Sequence, residues 1–457
     1  MKVVAGLWRE AGFDDEVLHD VYLTGAEPVL PSSFAVGTAA QATIAATALA
    51  AAELWRLRGG RRQGVSVDMR SAAIEFRSER YLCVDGKYPA GDPDHLSGLY
   101  RCGDGRWVRV HASLAHHRSG VMALLRCSED RAAAQRALDG WQAEAFEAAA
   151  ADAGLAVAAC RSFAEWDRHP QGRAVAKLPL FSIEQIGDAP PRPLSAVARP
   201  LAGIKVLDLT RIIAGPVCGR ALAAHGADVL LVTAAHLPSM RPLVIDTGRG
   251  KLSTSIDLRE AGGREALAAL VREADVFVQG YRPGAVAAFG FGPQHVARMR
   301  PGIVYVSLSA YGHEGPWVDR RGFDSLVQTA SGLNVAEAEA FAANEPKPLP
   351  AQALDHATGY LMAFAAIAAL ARRAARGGSW HVRASLAQSG CWLRRLGRID
   401  GVACPDPKLE DMRDRLEETS SGFGTLTAVR HAAVMAETPP HWLRPAVPLG
   451  AHAAAWP

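Results

Sequence analysis

The sequence predicts an α/β protein built on a parallel sheet, and three observations predict it. Short apolar runs rich in β-branched residues recur after residue 200: Ile204–Leu209 (IKVLDL), Ala227–Val232 (ADVLLV), Ala274–Gln279 (ADVFVQ) and Ile303–Gly312 (IVYVSLSAYG). Helical stretches separate them, one ending near His225-Gly226 and another covering Glu265–Glu273. The runs are apolar almost throughout rather than alternating, as strands covered on both faces are. Strand–helix alternation of this kind layers a parallel sheet between helices.

The seam between domains is read next. Asp188–Gly203 (DAPPRPLSAVARPLAG) is rich in proline and small residues, as a linker is. It divides the chain into residues 1–195 and 196–457, and 457 residues suffice for two domains. The first part reads differently from the second. Helical patterns dominate up to Leu57. Gly98–Ala112 (GLYRCGDGRWVRVHA) reads as a hairpin, with Asp104-Gly105 at its turn and Trp107, Val108 and Val110 in its strand. Alanine-rich helices follow through Asp152.

Composition narrows the class. Hydrophobic residues make up 49% and charged residues 21%, and the net charge is +3, so charge alone points to neither nucleic acid nor membrane. The seven cysteines are scattered and form no CxxC pair, which argues against a disulfide framework and a zinc site and for a reduced, cytoplasmic setting. The N-terminal stretch meets acidic residues too early for a signal peptide, and the alanine-rich run Ala39–Leu54 is short for a bilayer span.

An internal repeat is visible. Ala48–Ala72 resembles Ala366–Ser389: each is an alanine-rich helix with a basic end, then glycines, then a short strand. The second copy is preceded by Leu354-Asp355-His356-Ala357-Thr358-Gly359; at that distance the first copy has Thr38 and no acid.

Asp355 is the leading candidate for chemistry. It stands where a strong helix pattern begins, and backbone N–H groups and the helix dipole favour a carboxylate there. A plain helix cap is the alternative reading. Ala351, Ala353, Ala357 and Gly359 around it leave room for a ligand. Three glycine-bearing turns lie where strands meet helices: Ala214-Gly215-Pro216, Asp246–Lys251 and Arg282–Gly284. Ligands of open parallel sheets bind at strand carboxyl ends, so Arg249, Lys251 and Arg282 are phosphate candidates, against a reading as solvated turn residues. There is no GxGxxG, no P-loop lysine and no GxSxG elbow. His169 and the pair His116-His117 read as surface or turn residues, with no metal-ligand spacing.

From Leu201 to about Ala403 the chain resembles the class III CoA-transferases (CaiB/BaiF). Eight stretches stand in the family's order: PLAGIKVLDLTRIIAGP, LAAHGADVLLV, GRGKLSTSIDL, ADVFVQGYRPG, FGFGP, PGIVYVSLSAYGHEGP, RRGFDSLVQTASGL and ALDHATGYLMAFAAIAALARR. The tail Thr438–His452 resembles the family's C-terminal end. The first 195 residues resemble the family's later half, small domain included, so the chain reads as a partial duplication in rearranged order. The departures are Leu231, Val232, Thr233 and Ala234 where the family carries a K-V-E pattern, and Gln279-Gly280 where it carries E-N.

The resemblance implies a Rossmann-like large domain with a smaller α+β domain, and a homodimer of interlocked chains. It implies transfer of coenzyme A from an acyl-CoA to a small carboxylic acid, both as substrates, with no permanently bound cofactor and no metal. Asp355 matches the covalent nucleophile. Ile212, Ala214, Gly215, Lys251, Tyr281, Arg282 and Arg321 match or neighbour CoA-binding positions. The alternatives are a homologue that has lost CoA binding and a CoA-dependent lyase or dehydratase. A racemase is disfavoured, because the racemase histidine falls within RRGFDSL, where this chain has Phe323.

Overall fold

The computed structural model describes residues 1–91 and 93–457. Its main sheet has seven strands in the order Lys251–Ser255, Asp228–Thr233, Lys205–Leu209, Val276–Gln279, Val304–Ser309, Ser379–Ser385 and Phe181–Gly187. The first six are parallel, and Phe181–Gly187 closes the edge antiparallel. The chain starts at Lys205–Leu209, adds two strands on one side, then crosses to add three on the other. That reversal beside Lys205–Leu209 is the doubly wound order, and a crevice opens at the strand carboxyl ends there.

The apolar runs behave as their composition requires. Within one strand, Val206 packs into the core on one face and Leu207 and Leu209 into the core on the other; Val276 and Phe277 divide in the same way. The helix expected over Glu265–Glu273 starts earlier, at Ala261. The strand expected over Ile303–Gly312 spans Val304–Ser309. Asp246–Lys251 holds the end of the helix Arg241–Thr247, a turn over residues 248–250 and the start of a strand. That strand, KLSTS, has Ser253 and Thr254 buried and so lacks the apolar signal that marks the others.

The small domain is the expected hairpin, Gly98–Arg101 with Trp107–Val110, extended by Val157–Ala159. Three helices, Ala115–Leu125, Arg131–Leu138 and Ala143–Asp152, cover it. Leu96, Tyr100, Val108, Leu138 and Phe146 form its own core. The linker at residues 188–203 is a seam in sequence, yet elements interleave across it. Phe181–Gly187 joins the main sheet, Ala433–Met435 pairs with Val65–Asp68, and Cys83–Val84 pairs with Gly424–Val429.

The repeat has a structural counterpart. The helices Val36–Leu57 and Ala353–Arg376 pack on each other, and the Thr47 hydroxyl donates to the Tyr360 carbonyl at 3.0 Å. Their N-caps share one backbone geometry, Ala35 at φ −74°, ψ 60° and Gln352 at φ −76°, ψ 61°. Thr38 and Asp355 are each the third residue of their helix. Each helix leads to a strand with one parallel and one antiparallel neighbour: Val65–Asp68 in a three-stranded sheet, Ser379–Ser385 in the main one. Ala353–Arg376 is long and apolar enough to cross a membrane by composition, but its apolar window lies wholly inside the protein.

Candidate active site

A cleft of about 280 Å³ opens where the strand order reverses, and Asp355 is the one acidic residue lining it among the described residues. Its walls come from four places. The strand Lys205–Leu209 runs into Arg211–Ala214, and Val276–Gln279 runs into Gly280–Arg282. Val304–Ser309 ends at Leu308–Ala310, with Arg320–Phe323 beyond it. The small domain adds Leu114, His116 and His117.

The helix start that carries Asp355 is built around a second aspartate. Asp324 Oδ2 accepts the N–H groups of Leu354 at 2.8 Å and Asp355 at 3.0 Å, and its Oδ1 accepts the Gln328 side-chain amide. The capping task is therefore done by Asp324, at the position where helices leave N–H groups unsatisfied. Among the described residues the Asp355 carboxylate has no hydrogen-bond partner, and Asp355 is 7% exposed, at the cleft. The simple cap reading of Asp355 fails on this geometry. Burial raises the Asp355 carboxyl well above the usual carboxylate range, and the nearby charges of Asp324 and Glu79 add to it. Burial also raises Asp324, to about 6, against the N–H groups it accepts.

Close packing fixes this helix against the opposite wall. A Cβ on Gly359 would meet the Ala214 carbonyl at 2.5 Å and Val217 Cβ at 2.8 Å, so only glycine lets the two helices approach this far. The Ile213-to-Ala214 turn into the helix Ala214–Ala224 demands φ 74° at Ile212, a left-handed conformation that costs a β-branched residue of the order of 1–3 kcal/mol. Such strain is retained where the surroundings impose it, and Ile212 lines the cleft.

The other residues singled out by sequence divide into two groups. Ile212, Ala214, Tyr281, Arg282 and Arg321 line the cleft with Asp355. Gly215 does not; it lies under Thr210, where a Cβ would meet the Thr210 side chain at 2.4 Å. Lys251 and Arg249 are corrections. The Lys251 ammonium is buried against Asp208 at 2.8 Å and donates to the Pro216 carbonyl at 2.7 Å. Arg249 is buried against Asp246 at 3.1 Å and donates to the Val429 carbonyl at 2.7 Å. Arg249 stands in the turn and Lys251 opens the strand after it, and both side chains are buried in ion pairs rather than free to meet a phosphate.

Sequence reasoning missed several cleft residues. His117 is not a surface residue: it is 1% exposed in the first turn of Ala115–Leu125, whereas its neighbour His116 is exposed, as the surface reading expects. Phe323 stacks on His111 of the small domain, ring centroids 3.9 Å apart. Arg211 covers the Tyr281 ring at 5.4 Å. None of these stands at a spacing that a one-dimensional pattern reports. His356 points away from the cleft and meets Glu79 Oε2 at 3.1 Å. Among the described residues, no group of three or more His, Cys, Asp or Glu side chains is gathered as a metal site.

The CoA-transferase family III profile matches residues 201–450, more than half of the chain. The chain belongs to CoA-transferase family III. It is 38% identical over 215 residues to an acetyl-coenzyme A transferase of Hypoxylon pulicicidum, covering 46% of this chain and 36% of that one. An acyl-CoA transferase of Gibberella moniliformis is 29% identical over 83% of this chain and 74% of its own length. A probable fatty acyl-CoA transferase of Mycobacterium tuberculosis is 30% identical over 55% of this chain and 68% of its own. The crystal structure of a CaiB/BaiF family protein from Brucella suis is 27% identical, with a TM-score of 0.38, over 50% of this chain and 65% of that one. This chain thus spans between about a third and three quarters of these relatives. The α/β fold with its seven-stranded sheet is consistent with the family's.

Proposed function

We propose that this protein transfers coenzyme A from an acyl-CoA to a carboxylic acid, with Asp355 as the covalent nucleophile. The observation that carries the reading is that Asp355 is the one acid in the cleft among the described residues and Asp324 relieves it of any capping role.

The chemistry follows from a carboxylate at the head of a helix. Asp355 attacks the thioester carbonyl; the C–S bond breaks and CoA leaves as thiolate, giving a mixed anhydride. The thiolate then attacks the aspartyl carbonyl of that anhydride, the donor acid departs as carboxylate, and an aspartyl–CoA thioester remains. The acceptor carboxylate attacks this thioester and expels the thiolate again. The thiolate finally attacks the acceptor's acyl carbon and frees Asp355. Covalent division of one hard step into several easier ones suits this nucleophile. As the opening residue of a helix at the cleft, Ala214 has an N–H group without an intrahelical acceptor, and such a group stabilises the oxyanion formed at each attack.

Asp355 attacks only when ionised. Arg211, Arg282 and Arg321 line the same cleft, so a bound acyl-CoA meets positive charge beside the nucleophile. They also supply the positive charge that the family keeps in its K-V-E pattern and that Leu231 and Thr233 do not. An adjoining apolar slot, walled by Leu237, Ile256, Tyr281 and Phe289 and shared with the cleft through Tyr281, suits the adenine ring. The reading includes a homodimer and a cytoplasmic location, where seven unpaired cysteines stay reduced.

The test is turnover of acetyl-CoA with a panel of carboxylic acids, using wild type and Asp355→Ala. Loss of at least a thousandfold in kcat with an unchanged melting curve supports the role; undiminished turnover removes it.

A further inference from the structure

One buried side chain from the N-terminal portion reaches the loop that joins two stretches of the cleft wall. Ser309 and Ala310 stand before the loop of residues 311–317, and Val318, Arg320, Arg321 and Phe323 stand after it; all six line the cleft with Asp355. Gln171, in the helix Pro170–Ala176, is fully buried against this loop. Its Nε2 donates to the Tyr311 carbonyl at 2.7 Å and the Glu314 carbonyl at 2.8 Å, and its Oε1 accepts the Trp317 N–H at 2.7 Å. Both amide hydrogens and the oxygen are engaged. Because Tyr311 and Trp317 are the two ends of the loop, one amide ties it across its base.

The stretch His169-Pro170-Gln171 builds this arrangement. His169 Nδ1 accepts the Gln171 N–H at 3.1 Å and so caps the helix, and Pro170 opens it with no N–H to leave unpaired. The His169 and Trp317 ring centroids are 4.4 Å apart. A Cβ on Gly315 would meet Gln171 Oε1 at 2.5 Å, so the loop closes over the amide only because residue 315, at φ 92°, is glycine. Beyond Trp317 the side chains of the wall have their own supports. Arg320 lies over the Trp317 ring at 4.0 Å and reaches Glu147 at 3.5 Å; Arg321 Nη1 stands 3.1 Å from His117 Nε2 and 3.4 Å from His116 Nε2. Gln171 ties the backbone from which they extend.

We infer that Gln171 is a positioning residue: by tying both ends of the loop it holds the cleft wall of residues 318–323 where an acyl-CoA is received. The inference rests on the transfer reading for what the cleft receives, and on the three amide bonds for the tie itself. The bonds from Asp324 to the Leu354 and Asp355 N–H groups do not pass through the loop, so the effect falls on substrate binding and spares the nucleophile.

Gln171→Met keeps the length of the side chain and removes its amide. In limited trypsin digestion of the full chain, fragments ending at Arg320 or Arg321 should then appear about tenfold or more faster than in wild type, because the untied loop opens locally. In turnover, the KM of acetyl-CoA should rise about tenfold while kcat stays within about twofold. Arg58→Gln is the control: Arg58 is also buried and donates to the carbonyls of Ser195, Pro200 and Ala202, none of which lines the cleft. It should lower the melting temperature yet leave the trypsin rate at Arg320 and Arg321 and the KM as in wild type. Gly315→Ala presses on the amide from the loop side and should reproduce both effects, so it carries the test if Gln171→Met does not fold. Unchanged cleavage in these two variants overturns the inference, as does a fall in kcat with KM unchanged, or a KM that rises equally in Arg58→Gln. An opened loop in protein that transfers no CoA even as wild type upholds the positioning of the wall and sinks the transfer reading. Transfer with an unaltered KM in Gln171→Met does the reverse.

Discussion

Asp324 Oδ2 accepts the N–H of Asp355 at 3.0 Å, so one buried carboxylate holds the backbone that presents another. The pair shares a site from which water is largely excluded, and each charge disfavours the other. Asp324→Asn keeps an acceptor for the helix N–H groups but removes the charge. Its acid limb in a pH–rate profile should move to lower pH than in wild type, since Asp355 then ionises more readily. Asp324→Ala leaves two N–H groups uncapped and should cost about 1–2 kcal/mol in urea unfolding.

The raised Asp355 carboxyl also makes a prediction for stability. The folded protein keeps this proton at pH values where the unfolded chain, with an ordinary aspartate near 3.8, has lost it. Stability is therefore intact below 3.8 and declines as pH rises from there toward the raised folded value. Asp355→Asn cannot ionise. It should melt with wild type at pH 3.5 and be more stable than wild type at pH 8, measured by thermal unfolding at both values.

Gly359 separates propensity from packing. Alanine is the better helix former by about 1 kcal/mol. Here its Cβ would lie 2.5 Å from the Ala214 carbonyl. Gly359→Ala should therefore destabilise by about 1–3 kcal/mol, as overpacked sites do, and lower kcat by shifting Asp355 against the Ala214 wall. Denaturant melts and turnover of the same preparation check both.

Lys251 and Arg282 should behave oppositely. Lys251→Met strands Asp208 as a buried charge and should cost about 3–5 kcal/mol. Arg282→Gln removes a cleft guanidinium with no carboxylate partner; it should leave unfolding unchanged and weaken acyl-CoA binding about tenfold or more. Calorimetric titration with CoA beside thermal melting distinguishes them.

Much of this was legible in the sequence because it is local. Strands buried on both faces carry their signal in consecutive residues, and Asp355 at a helix start is readable from the pattern that follows it. Lys251–Ser255 was not legible, since its Ser253 and Thr254 are buried polar residues, and the Gly450 N–H that Ser253 Oγ accepts comes from beyond any local window. The role of Lys251 fell with it: a basic residue beside glycines looks solvated until Asp208, 43 positions away, is brought to it. His116 and His117 lie 205 and 204 positions from Arg321, and Asp324 lies 31 from Asp355. Folding alone makes these pairs neighbours. The repeat was readable as similar residues, but the shared cap geometry of Ala35 and Gln352, which puts Thr38 and Asp355 at one helical position, needed coordinates.

The central claim is that Asp355 becomes covalently attached to CoA during turnover. The most direct test is to mix the protein with acetyl-CoA, quench in acid before an acceptor is added, digest, and weigh the peptide that contains Asp355. The account predicts a peptide heavier by one CoA less one water, absent in Asp355→Asn and lost on adding hydroxylamine. An unmodified Asp355 peptide from protein that still transfers CoA would contradict it.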